Sequence, residues 1–192
     1  MMASKQPVTT SNAASVPAVD AALLAGCRSG DRQAQQQIYE LCSQRVYRLM
    51  VRMVDRQDAA DLTQQVFLQV YRKIGQFEGL AKFETWLYRL AVNEALQHLR
   101  RGHRWRHEPL VQEPVSEHCS GHQRHEQKEL LEQAIARLEP ELRSIFLLRE
   151  VEGLSYHDIA EAVAIPAGTV GSRLNRARTQ LQEHLIELGW EP

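Results

Sequence analysis

Residues 154–185 read LSYHDIAEAVAIPAGTVGSRLNRARTQLQEHL, and the fold is decided here. Ser155 followed three residues later by Asp158 has the form of a capping box, a side-chain acceptor for the free amides of a new helix. That helix turns Ile159, Ala160 and Val163 inward and stops near Ala164-Ile165-Pro166. Proline lacks a backbone donor but is well tolerated where a helix begins, so a second helix is expected from about Ala167. At about 100° per residue, Val170, Leu174, Ala177 and Leu181 share a narrow stripe. Gly168, Ser172, Asn175, Arg176 and Thr179 fall opposite it, with Arg173 and Arg178 on the flanks. No acidic residue occurs from Pro166 to Gln180. A short helix, a tight turn and a helix with a small, polar, arginine-bearing face is a helix-turn-helix, and its chemistry suits a DNA major groove. Small residues allow close approach, one arginine can bond bidentately to guanine, and flanking arginines can neutralise phosphates. A plain helical hairpin with a solvated arginine face is the bland alternative. It leaves the agreement of cap, turn, proline and sidedness unexplained.

Upstream, Ala21 to Arg101 contains no proline, and apolar residues recur at three and four. Ile38, Leu41, Val46, Leu49 and Met53 suit one helix, and Leu62, Val66, Val70 and Ile74 step down a second. A break at Gly75-Gln-Phe-Glu-Gly79 precedes a third apolar face, Phe83, Trp86, Leu87, Leu90 and Ala91. From Gly102 to about Glu126 the composition turns polar, with Pro109, Pro114 and Gly121, as in a linker. Leu130, Leu131, Ile135, Leu138, Ile145, Leu147 and Leu148 then restore a helical pattern. No segment has the alternation of a strand. The expected fold is all-α, two small helical domains (21–101 and 127–190) joined by a flexible linker (102–126), behind a disordered tail (1–20) rich in Ser, Thr, Ala and Pro.

The 192 residues carry 23 lysines and arginines against 24 aspartates and glutamates, a net charge of -1, which excludes a polybasic protein but not a local basic surface. No run approaches the roughly 20 apolar residues of a membrane span, and no secretory signal is evident, so membrane insertion is not expected and the cytoplasm is the default compartment. Cys27, Cys42 and Cys119 are an odd number at unrelated spacings, which argues against a disulfide framework.

Residues 58–101, DAADLTQQVFLQVYRKIGQFEGLAKFETWLYRLAVNEALQHLRR, resemble region two of bacterial sigma factors, and the segment from Leu154 resembles their region four. In this order and with a short linker, the pair is similar to the extracytoplasmic-function (ECF) class of the sigma-70 family. The resemblance implies a subunit that binds core RNA polymerase, directs it to promoter DNA and helps open the duplex. It also implies an anti-sigma factor as a partner, and neither catalytic residues nor a cofactor. Asp61, Gln64 and Gln65 share a helix face beside Leu62 and Val66. They match the family's polymerase-docking pattern, with Gln65 in place of the usual glutamate. The loop from Phe77 and Glu78 to Lys82 and Phe83, with Trp86 and Asn93 on the next helix and Arg100 and Arg101 beyond, would capture an unstacked base of the start-proximal (-10) element. Arg89, Arg104 and Arg106 add to the local positive charge. Phe83 and Trp86 could equally be core residues, and Asn93 could instead meet a buried backbone group. Thr169, Ser172, Arg173, Asn175, Arg176 and Arg178 would read the distal (-35) element, Ser172 and Arg176 at base edges and Thr169, Arg173 and Arg178 at phosphates. Ala164 stands where the family's turn often has glycine. If the backbone is left-handed there, alanine costs about 1 kcal/mol.

A linker of about 25 residues spans at most roughly 80–90 Å, enough to set two modules one to two duplex turns apart. Within it, Cys119, His122 and His125 have a spacing that could hold zinc, although no four-ligand frame surrounds them. Two other function classes compete with the sigma reading. A stand-alone helix-turn-helix regulator would need a sensor domain, and the N-terminal half has no phosphoacceptor-type α/β pattern. An enzyme such as a metal-dependent hydrolase would need catalytic groups on rigid elements, and none can be placed.

Overall fold

Aspartates satisfy free amides at the first three helix starts. The protein, seen in a computed structural model, is described over residues 19–105 and 122–190. Asp20 accepts from the Leu23 amide at 2.7 Å and opens α1 (Ala21–Arg28). Asp31 opens α2 (Arg32–Met53) through the Gln33 amide, and Asp55 opens α3 (Arg56–Lys73) through the Asp58 amide, each at 2.9 Å. Caps of this kind contribute about 1 kcal/mol each. A single 3-10 turn, Ile74–Gln76, leads to a loop and then to α4 (Phe83–Trp105). The second half holds α5 (His122–Arg137), α6 (Pro140–Glu150) with proline in its first turn, α7 (Tyr156–Val163) and α8 (Ala167–Glu187). No strand occurs among the described residues.

In the first half α3 folds back on α2 through a two-residue connection, α4 packs across both, and α1 closes the end. A Cβ on Gly26 of α1 would come within 2.9 Å of the Ala34 Cβ, so glycine sets how near α1 approaches α2. The expected core residues are in place. Ile38, Val46, Leu49, Met53, Leu62, Val66, Val70 and Ile74 are all buried, and Leu41 is half-buried. In the second half α8 rests on α5, α6 and α7 through Val170, Leu174, Ala177 and Leu181. Ile135, Leu138, Ile145, Leu147 and Leu148 complete that core, whereas Leu131 is exposed.

Helix reaches into both ends of the stretch read as a linker, since α4 continues to Trp105 and α5 begins at His122. Arginines, glutamines and glutamates there favour helix once a neighbouring helix has nucleated it. The remainder of the linker and the N-terminal tail read as disordered lie outside the described residues, apart from Val19 and Asp20.

The two halves also touch. α7 lies against α4, α5 and α6 meet α2, and the buried residues of both halves form one continuous cluster. Arg143 of α6, a buried guanidinium, donates to the Met53 carbonyl of α2 at 2.9 Å. It also donates to the carbonyls of Leu138 (2.9 Å) and Ala136 at the end of α5. Burial pulls its pKa down to about 10, still well above neutral pH, so the guanidinium stays charged there.

Candidate nucleic-acid interface

The helix-turn-helix is built as its residues require. The Ser155 hydroxyl accepts from the Asp158 amide at 3.1 Å, and the Asp158 carboxylate accepts from the Ser155 hydroxyl (2.6 Å) and amide (3.4 Å). Burial would raise the Asp158 pKa, but these bonds and one from Thr85 outweigh it and hold the carboxyl below its usual range. The amides of Ala164 and Ile165 both turn back to the Ala160 carbonyl. This places Ala164 at φ 53, ψ 49, the left-handed region. Pro166 then caps α8 without a side-chain bond.

On α8, Ser172, Asn175, Arg176 and Arg178 are exposed, and Thr169 and Arg173 are half-buried beside them. Arg176 pairs with Glu139 at 3.2 Å and Arg178 with Glu150 at 2.6 Å. The hydrogen bond that Arg178 donates to the Glu150 carboxylate favours its charged form. Exposed pairs such as these contribute little and can be exchanged for phosphate or base contacts. Tyr156 was not singled out by the sequence reading. An ideal Cβ on Gly171 would sit 3.6 Å from its ring, and the Arg149 guanidinium lies over that ring at 5.4 Å. Its signal was an aromatic directly after the capping serine.

In the first half, Phe77, Phe83 and Trp86 form a cluster with ring centroids 5.4–5.8 Å apart. Phe77 and Phe83 are buried and Trp86 is half-buried, so the two phenylalanines stand in the wall and Trp86 is the ring nearer the surface. Asn93 is exposed, which removes the alternative that it serves a buried backbone group. Glu78, Lys82, Arg89, Arg100 and Arg101 are exposed along the loop and α4, while the side chains of Arg104 and Arg106 lie outside the described residues. Gly79 takes φ +77 at the loop's turn and leaves Leu80 91% exposed at the tip. Arg28 of α1 fixes the loop's base by donating to the carbonyls of Ile74 (3.4 Å) and Phe77 (2.5 Å), a role with no sequence signal. A cleft of about 560 Å³ opens here, lined by Phe77, Leu80, Trp86 and Arg89 and, across from them, Glu161 and Ala164 of α7.

Asp61, Gln64 and Gln65 are brought together on the exposed face of α3, backed by buried Leu62 and Val66. Leu68, 52% exposed, continues that face at i+7 from Asp61 and was missed because a lone leucine there reads as core. The three candidate zinc ligands lie outside the described positions, Cys119 entirely and His122 and His125 as side chains. Among the described residues, no cluster of histidine, cysteine or acidic residues could hold a metal ion, and no helix is long and apolar enough to cross a membrane.

The described residues thus join a helix-turn-helix to a second all-helical module whose loop 78–80 and α3 face of Asp61, Gln64 and Gln65 are exposed. Residues 38–106 match the family described as sigma-70 region 2, and residues 128–181 match sigma-70 region 4. The chain is 35% identical to the ECF RNA polymerase sigma-E factor of Haemophilus influenzae over 88% of its own length and 96% of that protein. It is 36% identical to the RNA polymerase sigma-H factor of Pseudomonas aeruginosa, over 88% and 95% respectively. Among solved structures, the sigma factor RpoE bound to the anti-sigma factor NepR from Bartonella quintana shares the fold at a TM-score of 0.64, covering 81% of this chain and 98% of that one at 23% identity. The chain belongs to the sigma-70 family, in its ECF class.

Proposed function

We propose that this chain is a promoter-specificity subunit of bacterial RNA polymerase, working in the cytoplasm without catalytic chemistry of its own. The exposed α3 face of Asp61, Gln64 and Gln65 docks on the core enzyme. The loop 76–83 and the exposed face of α4 take the melted strand near the start site, with Trp86 and Asn93 nearest the bases and Lys82, Arg89, Arg100 and Arg101 along its phosphates. α8 enters the major groove of the distal element, where Ser172, Asn175 and Arg176 meet base edges and Thr169, Arg173 and Arg178 meet phosphates. Each module alone binds weakly, and the polymerase gains affinity by holding both in register. An anti-sigma factor is the expected silencing partner, as in the complex of the Bartonella protein.

One observation carries this reading. A helix-turn-helix, the exposed loop with α4, and the polar α3 face occur on a single chain that aligns over 88% of its length with an ECF sigma factor. The test is gel filtration of the purified chain with core RNA polymerase. Co-elution is expected for wild type, and Asp61→Ala should weaken it while leaving the melting temperature unchanged. A chain that never co-elutes with the core refutes the proposal, and an Asp61→Ala variant that melts early assigns that residue to the fold instead.

A further inference from the structure

The loop between the 3-10 turn and α4 is held from its two ends. Among the described residues, no backbone hydrogen bond involves Glu78, Gly79, Leu80 or Ala81, and the first three are exposed. At the far end α4 begins, with the Trp86 amide bonded to the Lys82 carbonyl at 3.2 Å. At the near end the Phe77 amide closes the turn on the Ile74 carbonyl, also at 3.2 Å. Arg28 reaches over from α1 to that same carbonyl with Nε (3.4 Å) and to the Phe77 carbonyl with Nη2 (2.5 Å). One guanidinium thus bridges both ends of the turn, a use of the arginine fork that a point-like ammonium reproduces poorly. Arg28 is itself well placed. Cys27 beside it is buried, and Gly26 lies so near Ala34 that a Cβ would come within 2.9 Å. The Gly26 carbonyl accepts from the Ser29 hydroxyl (2.8 Å) and the Asp31 amide (3.0 Å), which fixes the end of α1.

We infer that Arg28 is a positioning residue for strand capture, aiming the chain as it leaves Phe77 so that the loop is ordered before a melted strand reaches it. The inference rests on the reading that loop 76–83 and α4 take that strand. The Phe77 ring does not need Arg28 to stay in the wall, because it is buried against Phe83 and Trp86 with centroids 5.8 and 5.4 Å away. What Arg28 controls is the main chain beyond that ring, where Gly79 takes φ +77 and carries Leu80 to the tip. A loose loop must be ordered when it binds, and that ordering lowers affinity. A loop already tied at its base has part of the cost removed. Arg28 is exposed and its bonds are only partly buried, so water can replace them and the fold loses little. Loss of Arg28 therefore loosens the loop and leaves the helices standing.

The test compares wild type, Arg28→Ala and Arg28→Lys, each bound to core RNA polymerase, on genomic DNA fragments that the wild-type complex retains. Opening is read as permanganate reactivity of unpaired thymines, and retention in the cold, before opening, reads duplex binding. Arg28→Ala should open the fragments about three- to tenfold less than wild type. Its duplex binding and the melting temperature of the free chain should not change, while trypsin should cut the free chain after Lys82 faster. Arg28→Lys keeps the charge and loses the fork, so it should recover only part of the opening. The salt dependence of binding should be the same for all three, because no phosphate contact is lost. Full opening by Arg28→Ala, or unchanged cutting after Lys82, overturns the inference. So does full rescue by lysine with a salt slope lowered by about one in Arg28→Ala, which assigns Arg28 to a phosphate. A lowered melting temperature overturns it too, by assigning Arg28 to the fold. A wild-type complex that opens no fragment condemns the sigma reading itself, whereas equal opening by wild type and Arg28→Ala condemns the positioning role alone.

Discussion

Replacing Ala164 with glycine should make the protein more stable, although it deletes a methyl group. Ala164 sits at φ 53, ψ 49, where its Cβ crowds the carbonyl oxygen. That conformation costs an L-residue about 1–2 kcal/mol, and glycine adopts it freely. Against this, glycine gives the unfolded chain more freedom, worth about 0.4–1 kcal/mol. The methyl is exposed on the rim of the cleft, so little burial is lost. The net gain is about 0.5–1 kcal/mol. In a chain of this length that raises the melting temperature by about 1–4 °C. Urea unfolding should show a higher midpoint with an unchanged slope, because the surface exposed on unfolding is the same. Ala164→Val should move the midpoint the other way, since a β-branched side chain tolerates the left-handed region least. A glycine variant with a lower midpoint than wild type, or valine and glycine variants that behave alike, would refute the reasoning that the turn strains an L-residue.

Arg143→Met strands three carbonyls, those of Met53, Ala136 and Leu138, and should cost about 2–4 kcal/mol in urea unfolding. A loss within experimental scatter would mean that the carbonyls find other partners. Asp158→Asn weakens the α7 cap and should cost about 1 kcal/mol at neutral pH. Because the folded state holds the Asp158 carboxyl below its usual range, that contribution is full above about pH 4 and fades as pH falls through the lower folded value. The stability curves of wild type and Asp158→Asn should converge in acid, and parallel curves down to the acid limit would contradict the assignment. Arg176→Ala should cost the polymerase complex about 1–3 kcal/mol at the distal element and relax its sequence preference, with little effect on stability because the Glu139 pair is exposed. Unchanged promoter choice would remove the base-reading role.

The sequence made the second half legible because several independent signals agreed there. Ser155 and Asp158 capped α7, Pro166 preceded α8, and the Val170–Leu181 stripe was buried as its spacing required. The strain at Ala164 was legible only as a condition, since the resemblance puts alanine where the family's turn often has glycine, and the structure supplies the positive φ. Local patterns could not say which aromatic of the loop faces solvent. Phe77, Phe83 and Trp86 are alike in type, and only tertiary packing buries the first two and leaves Trp86 half-buried. The long-range polar bonds were invisible for the same reason. Glu152 pairs with Arg45, 107 residues away, and Arg143 with Met53, 90 residues away, and no periodicity links such positions. Nor does amphipathicity reveal that α7, whose inner face already has a core, turns its capping end toward α4.

Run-off transcription on fragments of genomic DNA, with core RNA polymerase alone and with core plus this chain, tests the central claim most directly. Discrete transcripts should begin at a limited set of sites only when the chain is present, and Asp61→Ala should reduce them. Identical products with and without the chain, from a core preparation that responds normally to another sigma factor, would contradict the assignment of this protein as a promoter-selecting subunit.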